Sequence, residues 1–171
     1  AIDARSRRRS LTTDLTRMRY ANGYIYNQTA PSIKTVLYVG VGHGFDAILA
    51  LLDGRAEQVI GVDPYIADDG NDDEDLLVLQ ELIRECDLEQ EFQIHRCSIE
   101  QYLAQNRVEI DLIVVNDVLH HLFVTTERLR RTAFFAQANA LFAKLSEIAT
   151  PQTRLIVSDV EGNDGSVAVD P

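Results

Sequence analysis

Three closely spaced glycines and a later carboxylate are the residues of this chain best suited to binding chemistry. Gly40, Gly42 and Gly44 follow the apolar run at residues 36–39, and Asp63 closes the next apolar run. Glycine lets the backbone turn tightly and approach a ligand without side-chain obstruction. A carboxylate at the end of the second strand can accept hydrogen bonds from both hydroxyl groups of a ribose. The pair predicts a site for a nucleoside-containing cofactor.

The glycine spacing separates two kinds of nucleotide site. The turn reads Gly-x-Gly-x-Gly, and Phe45 stands where a dinucleotide fingerprint requires its third glycine. Glycines alone are a weak signal, because many turns between a strand and a helix carry them. Their position between a strand and a helix, with an acid about 20 residues on, strengthens it.

Histidines and cysteines offer a second, weaker set of chemical groups. His120 and His121 follow the fourth apolar run and could act as a base, although a structural role at the start of the next segment is favoured. A metal site that combines them with His95 and Cys97 is disfavoured, because the spacing matches no standard ligand set.

Apolar runs and helical stripes alternate along the chain, and this predicts the elements that position these groups. A short leading helix is expected at residues 10–22 and a long one at 126–149. The expected strands are 36–39, 59–63, 92–96, 110–115 and 155–158. This alternation predicts an α/β fold with a doubly wound, mostly parallel sheet of at least five strands. The residues after each strand then meet in one crevice.

Composition and charge narrow the function further. The 171 residues carry a net charge of −11, which disfavours binding driven by phosphate neutralisation. A basic cluster near the start, at residues 5–9, is interpreted as a solvated terminus rather than a nucleic-acid arm. No apolar run approaches the roughly 20 residues that span a bilayer, so no membrane contact and a cytoplasmic location are expected. Cys86 and Cys97 are expected to be buried thiols.

Acidic residues crowd the segment at positions 68–75. Calcium binding is one interpretation, but the ligand spacing of a helix–loop–helix calcium site is absent. A solvated acidic loop that starts the next helix is favoured.

The order of these motifs resembles that of the class I S-adenosylmethionine-dependent methyltransferases. Residues 36–44 resemble the family's first motif, and residues 59–63 resemble its ribose-binding strand end. Residues 110–122 resemble its fourth-strand motif, and residues 155–159 its fifth strand. The resemblance covers roughly residues 30–160 and implies a Rossmann-like methyltransferase core that uses S-adenosyl-L-methionine.

The resemblance also implies roles for individual residues. The glycine turn would cradle the methionine part of the cofactor, and Asp63 would bind the ribose. Pro64 or Tyr65 would cover the adenine. The remaining cofactor-binding positions that match the family are Tyr38, Ser98, Ile99, Asn116 and Asp117. The family usually carries acids where Tyr38 and Ser98 stand, so this chain departs from its pattern at both positions.

The resemblance divides the chain into an N-terminal helical segment, residues 1–30, and a cofactor-binding domain, residues 31–171. The family's sheet continues for two strands beyond the fifth, and this sequence stops before them. We therefore expect an exposed sheet edge and self-association through it.

The function expected from the resemblance is methyl transfer to a small molecule. A non-catalytic methyltransferase-like module of a larger assembly is the alternative, motivated by Tyr38, Ser98 and the missing strands. A nicotinamide-dependent dehydrogenase is a third hypothesis, and Phe45 argues against it. The sequence does not identify the methyl acceptor.

Overall fold

The computed structural model describes residues 33–66, 71–116 and 131–158. Five strands and four helices alternate through these ranges. They are β1 (Ile33–Val39), α1 (Phe45–Leu52), β2 (Ala56–Val62), α2 (Asp73–Glu85), β3 (Phe92–His95), α3 (Ile99–Gln105), β4 (Ile110–Asn116), α4 (Arg131–Ile148) and β5 (Ala149–Ser158). The leading helix expected at residues 10–22 lies outside the described residues.

The five strands form one sheet in the order β3-β2-β1-β4-β5, and every described pairing is parallel. Successive strands run outward from β1 to one side, and then β4 and β5 extend the sheet on the other side. The reversal between β1 and β4 is a topological switch point, where open α/β sheets bind ligands. The predicted doubly wound parallel sheet is confirmed.

Helices cover both faces of the sheet, and alternate residues of the central strands point to opposite sides. Val36 and Val114 pack with α1 and α2 in one core cluster. Leu37 and Val115 pack with α3 and α4 in the other. Burial on both faces explains the continuous apolar runs of β1 and β4, because neither face is left for polar residues.

β5 begins earlier than the sequence predicts, at Ala149 rather than near residue 155. Its first half is polar and contains Pro151, so the apolar pattern did not indicate a strand there. The pairing with β4 also shifts register between Ile110 and Leu112. Thr153 stabilises this irregular part, because its hydroxyl donates to the carbonyl of Ile110 at 2.6 Å.

The described end of the acidic segment, residues 71–75, leads into α2, as predicted. Asp72 is the N-cap and accepts from the backbone N–H groups of Glu74 and Asp75, while Asp75 accepts in return from the N–H of Asp72. This capping box satisfies donors that a helix start leaves unpaired. Within the described ranges no three His, Cys, Asp or Glu side chains converge as metal ligands. None of the described helices is long and apolar enough to cross a membrane.

Candidate functional site

The glycine turn at residues 40–44 has an unusual backbone that only glycine adopts easily. Gly40, Gly42 and Gly44 all have positive φ, at 72°, 50° and 64°. The left-handed region costs other residues about 1–2 kcal/mol each. The N–H of Gly40 donates to the carbonyl of Val62 at 2.8 Å, so the turn stays joined to the end of β2. The spacing of the glycines therefore reflects alternating left-handed positions.

Two glycines near the turn also make room for neighbouring side chains. A Cβ at Gly44 would lie 2.5 Å from Cδ1 of Leu79, a residue of α2. A Cβ at Gly61 would lie 2.9 Å from Cγ1 of Val41 and 3.1 Å from Cε1 of Phe92. Gly44 thus lets α2 pack against the start of α1, and Gly61 lets Val41 fold back onto β2.

Asp63 is buried at the end of β2, with 3% of its surface exposed. Its Oδ2 accepts from the backbone N–H of Gly42 at 2.9 Å and from Nδ2 of Asn71 at 3.1 Å. Its Oδ1 accepts from the backbone N–H of Tyr65 at 2.9 Å. The predicted pairing of glycine turn and carboxylate is thus a direct contact, since the turn donates to Asp63.

Tyr65 is buried beside this carboxylate, with 2% of its surface exposed and a positive φ of 51°. Its hydroxyl donates to the carbonyl of Gly42 at 2.7 Å. Burial raises the pKa of Tyr65 far above its ordinary value, and the negative charges of Asp63 and Asp75 raise it further. Tyr65 thus supports the Gly42 carbonyl, and its predicted contact with adenine stays a prediction.

His43 ties the glycine turn to α2. Its Nε2 lies 2.8 Å from Oδ1 of Asp75, which is buried. The two atoms are close, but they do not have the geometry of an aligned hydrogen bond. The imidazole also stacks on Phe45, with ring centroids 5.4 Å apart. Sequence reasoning missed both His43 and Asn71, because nothing in their local pattern indicates contacts with α2 or Asp63.

The remaining predicted residues lie near the carboxyl ends of the strands, and their environments differ. Pro64 is half-buried next to Asp63, and Asn116 is half-buried at the end of β4. Ser98 is the N-cap of α3, where its hydroxyl accepts from the N–H of Gln101 at 3.3 Å. Ile99 and Tyr38 are buried in the two core clusters. Their predicted cofactor contacts stay predictions.

Asp117, His120 and His121 lie outside the described residues, so their predicted roles also stay predictions. The expectation of buried thiols needs correction: Cys86 and Cys97 are free and only half-buried. Cys86 follows the last turn of α2 and Cys97 follows β3, where helix and strand ends leave them partly open. Burial still raises the pKa of both thiols, which lowers their reactivity.

The ends of β1 and β2 bring a glycine turn and a buried carboxylate together. The three left-handed glycines add no side chains to the turn, and a Cβ at Gly42 would fall 3.4 Å from Asn71. A carboxylate faces this turn, and with the donors of the described residues counted, one acceptor position is left on Oδ1. A ribose hydroxyl is a donor that such an oxygen can accept.

Several solved structures of similar fold are methyltransferases. A protein of the O-methyltransferase family from Burkholderia thailandensis matches 83% of this chain at a TM-score of 0.57 and 12% identity. The chain has the class I S-adenosylmethionine-dependent methyltransferase fold. The C-terminal domain of precorrin-6Y C5,15-methyltransferase from Rhodobacter capsulatus matches 85% of it, at a TM-score of 0.57 and 14% identity.

A third similar structure is that of a tRNA methyltransferase. It is the M1A22 tRNA methyltransferase TrmK of B. subtilis, which matches 82% of this chain at a TM-score of 0.53 and 15% identity. The chain spans 36%, 63% and 48% of the lengths of the Burkholderia, Rhodobacter and B. subtilis structures. No protein-family profile matches the sequence, and no curated protein matches it either. The similarity therefore concerns the fold.

Proposed function

We propose that the protein is an S-adenosyl-L-methionine-dependent methyltransferase that acts on a small molecule. The observation that carries the proposal is the direct hydrogen bond between the glycine turn and the carboxylate, Gly42 N–H to Asp63 Oδ2. It holds a ribose-type acceptor against a turn whose three glycines carry no side chains. The fold, in which related structures are methyltransferases, supports the same conclusion.

In this proposal each described residue has a defined task. Asp63 accepts from the ribose hydroxyls, and the glycine turn lies against the methionine part. The Tyr65 hydroxyl holds the Gly42 carbonyl and so keeps the turn in place. Asn116, at the end of β4 beside the switch point, lines the floor of the crevice. The bound cofactor supplies a methyl group on a sulfonium, which is displaced by an aligned nucleophile of the acceptor.

Charge supports a small acceptor over a nucleic acid. At a net charge of −11 the chain repels a polyanion, and phosphate neutralisation is the main source of nucleic-acid affinity. The fold itself serves both classes, because one similar structure methylates tRNA. A cytoplasmic location is part of this proposal.

Isothermal calorimetry with S-adenosylhomocysteine tests the proposal. We expect Asp63→Ala to weaken binding by about 1.5–3 kcal/mol, the scale of a lost hydrogen bond to a charged group. Asp111→Ala is the matched control. Asp111 also accepts two backbone N–H bonds, from Lys34 and Thr35, but it lies at the amino ends of the strands, away from the candidate site. Circular dichroism checks that each variant is folded.

Three results would contradict the proposal. The first is equal affinity of folded Asp63→Ala and the parent protein. The second is an equal loss in Asp111→Ala. The third is binding of NAD in place of S-adenosylhomocysteine, which would favour the dehydrogenase hypothesis.

A further inference from the structure

The carboxylate of Asp63 is almost fully used by the protein itself. An ionised carboxylate offers about four acceptor positions. Oδ2 accepts from Gly42 and Asn71, and Oδ1 accepts from Tyr65. Among the donors that the structure describes, none takes the remaining position on Oδ1. A ribose presents two neighbouring hydroxyl groups, so it can engage both carboxylate oxygens only if one of the present donors leaves.

The donors differ in how easily they can leave. Gly42 and Tyr65 donate through backbone N–H groups, which the left-handed turn and the end of β2 hold in place. Asn71 donates through a side-chain amide, which moves by rotation about its own side-chain bonds. Asn71 is therefore the donor that a ligand can displace.

Asn71 also stands over the open side of the glycine turn. Its Nδ2 and Oδ1 atoms lie 3.4 Å from the place where a Cβ of Gly42 would be. The amide thus fills the gap between turn and carboxylate, which is where a group bound to both would sit.

We propose that Asn71 is an internal competitor of the nucleoside and sets the affinity of this site. In the free protein its amide holds Oδ2 of Asp63. A vicinal diol of ribose type reaches that oxygen only after the Asn71 side chain rotates away. The inference rests on the proposed function, because it takes Asp63 as the ribose-binding carboxylate.

The release involves the side chain and leaves α2 in place. The Asp72 capping box fixes the helix start, and His43 holds Asp75 at 2.8 Å. Arg96 forms a further ion pair with Asp73. These contacts hold the backbone next to Asn71, so ligand binding breaks one hydrogen bond to a charged group rather than a packed interface.

The test measures S-adenosylhomocysteine binding by calorimetry in the parent protein, Asn71→Ala and Asn106→Ala. We expect Asn71→Ala to bind about ten-fold more tightly, since the ligand no longer displaces a hydrogen bond to a charged group. Asn106→Ala is the control and should bind as the parent does. Asn106 also donates its amide, to the carbonyl of Tyr102 at 2.9 Å, but it lies just before β4 begins.

A second measurement reads the amide directly. The side-chain amide signal of Asn71, identified in a ¹H–¹⁵N spectrum by its loss in Asn71→Ala, should shift on saturation with S-adenosylhomocysteine. Unchanged or weaker binding by Asn71→Ala, with Asp63-dependent binding retained, overturns this inference and leaves the proposed function standing. Absence of binding in every variant overturns both.

Discussion

The region around the end of β2 and the strand β5 differ in how their side chains are packed. At the β2 side, Asp63 is buried and accepts three hydrogen bonds within the described part of the chain. At the β5 side, Leu155 and Val157 are 45% and 41% exposed, although their β4 neighbours Ile113 and Val115 are buried. The β2 side is preorganised by polar contacts, and the β5 side presents apolar surface.

This difference predicts which part of the sheet tolerates amino-acid substitutions. A buried carboxylate is stable only with its hydrogen-bond partners, so the β2 side allows few sequence changes. Surface apolar residues tolerate substitution, because little is packed around them. We therefore expect large effects on the β2 side and small ones at β5.

The largest effect is expected from Gly44→Ala. The new Cβ would lie 2.5 Å from Leu79, in addition to the strain of a positive φ. We expect a loss of about 2–5 kcal/mol in the free energy of unfolding, from the sum of overpacking and left-handed strain. Gly54→Ala is the matched control: its φ is 66° with nothing within 4 Å of the Cβ position, so only about 1–2 kcal/mol should be lost. Equal urea midpoints for the two variants would contradict the packing argument.

An intermediate effect is expected where α2 is held to the glycine turn. His43→Ala leaves the buried Asp75 carboxylate without its imidazole contact and should cost about 1–3 kcal/mol. Arg96→Ala breaks an ion pair whose side chains are mostly exposed, so a change of about 0–1 kcal/mol is expected. Urea unfolding compares the two. A larger loss in Arg96→Ala would mean that the exposed pair, not His43, holds the helix.

The smallest effect on stability is expected at β5. We expect Leu155→Lys to change the free energy of unfolding by about 0.5 kcal/mol or less and to leave S-adenosylhomocysteine binding unchanged. The same substitution should weaken the self-association proposed for the sheet edge, because an edge lysine opposes strand pairing.

Light scattering provides the test, with Leu77→Lys as control, since Leu77 is exposed on α2. A parent protein that is monomeric at every concentration would show that this edge does not pair. Equal weakening by both substitutions would show that the edge is not the contact.

The fold could be predicted because its signals are local and repeated. Continuous apolar runs indicated β1 and β4, and helical stripes separated the strands, which together define a parallel sheet. The start of β5 could not be predicted, because Pro151 and its polar neighbours lie in the irregular stretch between the Ile110–Ala149 and Leu112–Arg154 pairs. Register irregularities depend on the partner strand and leave no periodic pattern.

The candidate site was predictable in its backbone and not in its side-chain contacts. The glycine spacing and the acid after β2 located the turn and Asp63, because residues that follow neighbouring parallel strands lie at the same end of the sheet. Tyr65 was expected beside adenine, which stays a prediction, but its burial and its hydroxyl bond to the Gly42 carbonyl were not foreseen. The contacts of Asn71 and His43 join segments that are distant along the chain, so their residue types alone do not reveal them.

Gly61 has a consequence for how this sequence can vary among relatives. Its φ is not left-handed, and only the closeness of Val41 and Phe92 excludes a side chain there. Positions 41, 61 and 92 therefore share one fixed volume. An alanine at position 61 should be found together with a smaller residue at 41 or 92. We therefore expect substitutions at these three positions to be correlated, although the residues are far apart in the chain.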